Sequence, residues 1–370
     1  MKITLPRLDF VDALNAIMAI VGGRTAKPIL GCVRLATEGD VLELGGTDGE
    51  ASLRLAIRAL SVTEPGETAI PADRLLSITR EMPDAEIVIE ADQRACTVRG
   101  VGSKFKIFTF PPADFPALPS FTDEPDLTLD TLQLQRMIAL TAYAAARETG
   151  RYAINGVLWQ KQGRKLFLVA TDGRRLARTG GQLVEASAAD FEVIVPVKAL
   201  RAFEKVFTVG KDKSQATVDV RMTPNQLLFR AGDRLLSTAL VEGHFPKYED
   251  VIPRDSDKTA RISRTDLLGA IRRAAILTSE EARAVRLAFD KEQLVITAQS
   301  PEQGEARVEL PLSFDGEPVE VAFNAGFLTD VLGVIPFDEV VIELKESFRP
   351  GIIRGEDRSE FLYVIMPVSL

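Results

Sequence analysis

Cysteine and histidine are scarce in this 370-residue chain, which contains two cysteines and one histidine. Cys32 and Cys96 lack the spacing of metal ligands or of a disulfide framework, which favours a reducing, cytosolic setting. No acid or nucleophile is tied by spacing to His244, and the fingerprints of metal sites, P-loops and dinucleotide-binding folds are missing. We therefore expect no catalytic residues, no metal site and no cofactor.

Long apolar runs are missing as well. No stretch of about 18 apolar residues is present, which excludes a transmembrane helix, and the acidic residues near the start argue against a secretion signal. The formal net charge of −8 excludes tight nucleic-acid binding through overall charge, so a DNA partner would require positive charge on one face. The length predicts two or three domains.

What the chain does have is one order of predicted elements, repeated three times. Helix-period stretches at 8–21, 129–147 and 262–277 are each followed by two β-rich runs with a polar turn between them. A second helix then begins near Pro71, Pro196 or Asn324, with proline expected at the first helical position. An alternating strand and a closing strand pair complete each unit.

The repeat predicts an α+β protein of three similar domains, with boundaries at 1–121, 122–253 and 254–370. Each domain would pack two helices against sheets of roughly eight strands. The sequence Thr-Asp-Gly at 47–49 recurs at 171–173, and this recurrence favours a turn over an acidic active site. Edge strands at the domain ends invite pairing with the next unit, which is a route to a closed assembly.

Six phrases carry a resemblance to a known family. They begin at Gly22 (GGRTAKPILGCVRL), Arg151 (RYAINGVLW), Ala170 (ATDGRRLA), His244 (HFPKYEDVIP), Phe323 (FNAGFLTDVL) and Tyr363 (YVIMPVSL). In this order, the chain resembles the bacterial DNA polymerase III beta subunit over its whole length. The resemblance implies a catalytically inert sliding clamp: a head-to-tail homodimeric ring, with helices lining a hole for duplex DNA, in the cytoplasm at the nucleoid.

The resemblance also indicates where DNA would be contacted. A ring binds DNA by enclosing it, and its phosphate contacts position the duplex without reading sequence. Arg24 and Lys198 are the best-matched positions, although any one of these cations could belong to an ordinary solvated helix face. The full set of candidates is Arg24, Lys27, Arg74, Arg80, Arg136, Arg147, Lys198, Arg201 and Lys205.

A pocket for short peptide motifs is the second implied site. It would serve the polymerase III alpha subunit, the clamp-loader delta subunit and other proteins with clamp-binding motifs, through an apolar cleft with a few polar groups. Ile154, Leu176 and Val364 could instead be strand core. The matching positions are Ile154, Thr171, Gly173, Arg174, Arg175, Leu176, Pro246, Val251, Asn324, Phe327, Val364, Ile365, Met366, Pro367, Val368 and Leu370.

For the dimer seam, Phe105 and Ile107 match first-domain positions, and Ile276 and Leu277 match third-domain positions. Arg74 facing Glu302 or Glu305 would form an ion-pair rim. Core packing is the competing explanation for the four apolar residues. A clamp paralogue that acts as a protein-interaction adaptor is the alternative function.

Overall fold

Each third of the described chain contains two α-helices. The computed structural model describes residues 1–23, 25–92, 94–122, 124–147, 152–187, 189–208, 216–278 and 283–368. Within these ranges the helices are α1 (Arg7–Val21), α2 (Ala72–Glu81), α3 (Thr131–Thr141), α4 (Val197–Val206), α5 (Arg264–Ala275) and α6 (Ala325–Val334). Short 3₁₀ helices lie at Pro28–Gly31, Pro112–Asp114, Ala142–Ala144, Tyr152–Asn155 and Tyr248–Val251.

Nine strands belong to each third of the described chain. The first third has β1 (Lys2–Pro6), β2 (Cys32–Glu38), β3 (Val41–Thr47), β4 (Ala51–Arg58), β5 (Ser61–Glu64), β6 (Glu67–Pro71), β7 (Glu86–Ala91), β8 (Ala95–Gly100) and β9 (Ser103–Phe108). The second has β10 (Leu127–Asp130), β11 (Gly156–Gln162), β12 (Lys165–Thr171), β13 (Arg175–Gln182), β14 (Glu185–Ala186), β15 (Phe191–Pro196), β16 (Thr217–Met222), β17 (Gln226–Ala231) and β18 (Arg234–Ala239). The third has β19 (Lys258–Ser263), β20 (Ala284–Phe289), β21 (Gln293–Ser300), β22 (Gly304–Pro311), β23 (Ser313–Asp315), β24 (Val319–Asn324), β25 (Glu339–Leu344), β26 (Gly351–Arg354) and β27 (Phe361–Ile365).

The pairing of these strands confirms the predicted threefold repeat. In every third the first strand pairs with the fifth and the seventh, and the second pairs with the third and the sixth. Each third therefore contains a five-stranded half-sheet and a four-stranded half-sheet. The prediction of roughly eight strands was one strand short.

Four sheets result from these half-sheets. Two are nine-stranded, with the orders β14-β10-β16-β17-β18-β4-β3-β2-β6 and β15-β11-β12-β13-β27-β26-β25-β19-β23. Each joins a five-stranded half from one third to a four-stranded half from another, through the pairs β18–β4 and β13–β27. The other two sheets are an unjoined half of each kind, β5-β1-β7-β8-β9 and β22-β21-β20-β24.

Two compact units share the chain. The first comprises Met1–Gln135, Leu183–Ala189 and Lys198–Leu240, and the second comprises Arg136–Gln182, Asp190–Val197 and Val241–Leu370. In the first unit α1 packs beside α2 and against β3 and β4, and in the second α5 packs beside α6 and against β22. Each unit thus buries apolar helix faces against its own sheets.

The predicted helix boundaries need correction. Every third opens with a strand before its helix, because Leu129 and Ile262 are buried and pair with Val218 and Val340 in the sheets. The helix predicted at 129–147 ends at Thr141 and continues as the 3₁₀ segment Ala142–Ala144.

The two prolines precede their helices instead of opening them. Pro71 and Pro196 end the strands β6 and β15, opposite Cys32 and Gly156, and this pairing holds both in extended backbone. Asn324 is an N-cap as predicted, since its Oδ1 accepts a hydrogen bond of 3.2 Å from the amide of Phe327.

The two Thr-Asp-Gly segments are turns, as predicted, and they use the same hydrogen bonds. Thr47 and Thr171 each donate from Oγ1 to the carbonyl four residues later, at 2.9 and 2.6 Å. The two aspartates accept backbone amides within the turn. The glycines have φ of +96° and +86°, a conformation that favours glycine.

Cys32 and Cys96 are buried and free. Burial raises the pKa of the Cys32 thiol to about 11, with a further contribution from Asp73, and burial raises the pKa of Cys96 to about 12. Both side chains behave as small apolar core residues.

Candidate functional site

Strands β13 and β27 bring together the two segments predicted to form the peptide pocket. Leu176 lies opposite Val364 and Arg175 opposite Ile365 in an antiparallel register. Beyond β27 the chain still contacts the residue that precedes β13, because the amide of Met366 donates to the carbonyl of Arg174 at 2.9 Å. Residues 171–176 and 364–366, far apart in sequence, are therefore neighbours in the second unit.

An apolar cluster forms the floor beneath these strands. Its buried members are Leu158, Val169, Leu176, Ile194, Tyr248, Ile352, Leu362 and Val364, with half-buried Ala153, Val241, Phe245 and Ile252 packed against it. Leu176 and Val364 thus belong to the core, and so does the neighbouring Ile154, of which 6% is exposed. Tyr248 was not predicted, yet it anchors the segment between Pro246 and Val251 through a 3.0 Å hydrogen bond to Oε1 of Gln160.

The accessible part of the site surrounds this floor. Met366 and Val251 are 40% and 49% exposed, and Gly173, Arg174 and Pro246 are exposed as well. Pro367 and Val368 are half-buried, and the amide of Val368 donates to the carbonyl of Ala322 at 2.9 Å. The predicted Leu370 lies outside the described residues.

Arg175 occupies the centre of the site, although only 6% of it is exposed. Its Nε donates to Asp172 at 3.0 Å, its Nη1 to Asp330 at 2.7 Å, and its Nη2 to the carbonyl of Tyr143 at 2.8 Å. The guanidinium carbon lies 4.3 Å from the centre of the Phe327 ring. Asp172, Asp330 and Tyr143 were not predicted; the repeated Thr-Asp-Gly was a signal for Asp172 alone.

The side chains predicted to contact DNA are exposed on helices and in loops wherever they are described. Lys27 precedes the first 3₁₀ helix, Arg74 and Arg80 lie on α2, and Arg136 lies on α3. Lys198, Arg201 and Lys205 lie on α4, and Arg147 lies beyond the 3₁₀ turn that follows α3. Arg24 lies outside the described residues.

Four of the described cations have partners within the protein, and the first is Arg74, whose Nε lies 3.8 Å from Oδ2 of Asp73. Arg136 forms a 2.8 Å ion pair with Glu360, Arg80 donates to Oδ1 of Asn15, and Lys198 pairs with Asp48 of the first Thr-Asp-Gly turn. The pKa of Asp48 is lowered: burial opposes the shift, but the amides of Ala51 and Glu50 and the Lys198 ammonium outweigh it.

The predicted seam residues lie at two sheet edges and beside α5. Phe105 and Ile107 are in the edge strand β9, with 39% and 9% of their surface exposed. Ile276, 72% exposed, directly follows α5 and lines a cleft of about 380 Å³ with Arg272, Thr278, Arg283 and Thr329. Glu305 is exposed in the edge strand β22, and Glu302 in the turn before it.

None of the helices within the described ranges has the length and apolar character needed to cross a bilayer.

Comparisons with known proteins agree over the full chain. Residues 1–119, 128–247 and 249–369 match the N-terminal, central and C-terminal domains of the DNA polymerase III beta subunit. The beta sliding clamps of Salmonella typhimurium and Escherichia coli K12 are 35% and 33% identical over 371 residues, covering 100% of both chains. The crystal structure of the Pseudomonas aeruginosa DNA polymerase III subunit beta superposes with a TM-score of 0.91 at 32% identity, again covering 100% of both chains.

Proposed function

The chain belongs to the DNA polymerase III beta subunit family, and we propose that it acts as half of a homodimeric ring around duplex DNA. Its function is that of a DNA sliding clamp, a non-enzymatic processivity factor in replication, with DNA and clamp-binding polymerases as partners. The ring would be built from domains 1–121, 122–253 and 254–370 of each copy. Its place would be the cytoplasm, at the nucleoid.

The observation that carries the ring is the pair of unjoined half-sheets. Both nine-stranded sheets join the last strand of one third to the fourth strand of another, as β18 to β4 and β27 to β13. Among the described residues, β9 is the one last strand and β22 the one fourth strand without such a partner. Pairing β9 of one copy with β22 of a second would complete a sheet of the same kind, and a second identical seam would close the ring.

The register of this seam follows from the repeat. In each third, the residue four places before the first helix is linked, through successive cross-strand partners, to one residue of the last strand. That residue is Phe105 in the first third, Leu236 in the second and Tyr363 in the third. The residue four places before the second helix is linked in the same way to one residue of the fourth strand. That residue is Leu55 in the first third, Thr179 in the second and Val308 in the third.

Both internal junctions use the same alignment of these positions. Leu55 faces Arg234, two residues before Leu236, and Thr179 faces Phe361, two residues before Tyr363. The same rule sets Ser103 opposite Val308 across the seam. Antiparallel pairing then sets Phe105 opposite Ala306 and Lys106 opposite Glu305.

This register matches the chemistry of the two edges. Lys106 and Glu305 carry opposite charges and are exposed, and directly opposed charges of unlike sign stabilise a strand pair. Phe105 and Ile107 lie on the same face of β9, and Ile276 and Leu277 would extend that apolar contact. Lys104 would face Arg307, whose charge is already paired with Glu309 at 2.8 Å. Arg74 and Glu302 would supply the rim.

Engineered cysteines test the seam. The double variant Lys106→Cys/Glu305→Cys should form a covalent dimer on mild oxidation, because directly opposed strand residues lie within disulfide reach. The matched control Lys106→Cys/Arg307→Cys displaces one cysteine by two residues, about 7 Å along the strand, and should cross-link poorly. Stronger cross-linking in the control would refute the register, and a protein that stays monomeric at micromolar concentration would refute the ring.

The predicted cations supply the proposed DNA contacts. Arg24, Lys27, Arg74, Arg80, Arg136, Arg147, Lys198, Arg201 and Lys205 would meet phosphates without reading sequence. Since Arg136 and Lys198 already pair with carboxylates, their phosphate contacts would be weak and exchangeable, as sliding requires.

The cleft around Met366 and Val251 is the proposed peptide site. Its apolar floor, exposed methionine and bordering Arg174 suit short motifs with Gln and Leu or Phe. We propose the polymerase III alpha subunit and the clamp-loader delta subunit as ligands. Titrating a labelled motif peptide into the protein, with fluorescence anisotropy as the readout, tests this site, and no saturable binding at micromolar protein would refute it.

A further inference from the structure

Arg175 belongs to the proposed peptide site, but its guanidinium is buried and bonds to partners within the protein. Its three nitrogens donate to Asp172, Asp330 and the carbonyl of Tyr143 at 2.7–3.0 Å, and 5% of its side chain is exposed. These contacts occupy three of its five N–H groups, and the two carboxylates neutralise its charge. Because so little of this side chain is exposed, an acidic peptide group would have little access to the remaining N–H groups.

The guanidinium also covers one face of the Phe327 ring, with 4.3 Å between the guanidinium carbon and the ring centre. Phe327 is held at its backbone as well: its amide donates to Asn324 Oδ1 at 3.2 Å, and its carbonyl accepts from Tyr363 Oη at 3.0 Å. Asp330 lies three residues further along α6, so Arg175 contacts the helix at two positions about one turn apart. Together these contacts hold the Phe327 side chain, which is half-buried in α6.

We infer that Arg175 is a positioning residue of the peptide site: it holds Phe327 and α6 against β13 and so sets the shape of the apolar cleft, without pairing with the ligand. The inference rests on the proposed peptide site. It predicts that the loss of Arg175 weakens peptide binding only through Phe327, and that the loss does not depend on the charge of the peptide.

A double-mutant cycle on peptide affinity tests this coupling. The probe is a fluorescently labelled peptide with Gln and Leu that carries no carboxylate, titrated into the full-length protein. Arg175→Met and Phe327→Ala should each weaken binding about tenfold, and the double variant should stay within about twofold of Phe327→Ala alone. Purely additive losses, about a hundredfold in the double variant, would overturn the inference.

Two further variants separate positioning from general destabilisation. Arg230 also stacks on an aromatic ring, Phe121 at 4.0 Å, and pairs with Asp219 at 2.8 Å, but it belongs to the other compact unit. Arg230→Met should leave peptide affinity unchanged, and an equal loss in that variant would overturn the inference. If Arg175→Met does not fold, Asp330→Asn, whose side chain is 42% exposed, takes its place in the cycle.

Two other outcomes are decisive. A loss in Arg175→Met that appears only with a peptide carrying a carboxylate would reveal a direct ion pair, and would overturn positioning while keeping the site. Failure of the unmodified protein to bind either peptide would overturn the peptide site itself.

Discussion

Truncation of Ile276 to alanine should weaken the dimer strongly. Full burial of an isoleucine side chain contributes roughly 1.5–3 kcal/mol. Since 72% of Ile276 is exposed in the single chain, about 1–2 kcal/mol remains to be gained at a seam. A ring has two identical seams and both must open to release monomers, so the total loss is about 2–4 kcal/mol, or roughly 30- to 1,000-fold in the dissociation constant.

Sedimentation velocity over a dilution series measures this loss. Leu8→Ala is the matched control, because Leu8 is 64% exposed on α1 and lies outside the two edge strands and the region after α5. The control should dimerise like the unmodified protein. An Ile276→Ala variant with unchanged dissociation would show that Ile276 stays in solvent and that the seam has been assigned to the wrong surface.

Three further predictions concern the chain end, a half-buried carboxylate and the thiols. Deletion of 368–370 should leave a folded dimer but weaken motif-peptide binding at least about tenfold in fluorescence anisotropy; unchanged affinity would contradict the site. The pKa of Asp48 is lowered in the folded protein, so its carboxylate contributes stability above the unfolded pKa of about 4, and this stability is lost as pH falls through the lower folded value. Asp48→Asn should therefore make the urea midpoint fall less steeply on the acid side. An unchanged decline would contradict this. Burial and the raised pKa values of Cys32 and Cys96 predict no reaction with a thiol reagent at pH 8 until urea unfolds the chain, whereas rapid labelling of the native protein would contradict their burial.

The repeat was predictable from sequence because its signals are local. Alternating apolar residues identify strands, and Thr-Asp-Gly identifies two equivalent turns. The starts of α3 and α5 were predicted two residues too early, because the buried strand residues Leu129 and Ile262 continue the apolar pattern of the helix that follows. The prolines were assigned to the helices because a sequence does not reveal that Pro71 and Pro196 are also the last paired residues of strands.

The residues of the proposed peptide site were predicted as a group, but their contacts within the protein were not. Leu176 and Val364 were expected either to line it or to belong to the strand core, and they are buried core residues. Arg175 was predicted as a pocket residue, yet Asp330, one of the carboxylates that pair with it, lies 155 residues away in sequence. Pairings of that kind depend on the tertiary fold, so no local pattern could reveal them.

Enclosure of DNA is the central claim, and retention on closed circular DNA tests it most directly. After loading by a clamp loader, the protein should remain on a closed circle in high salt, because topological linkage does not depend on counterion release. Cutting the circle once should release it within the same salt wash. Equal salt-resistant retention on circular and linear DNA would contradict enclosure, and no retention on either would favour an adaptor that does not encircle DNA.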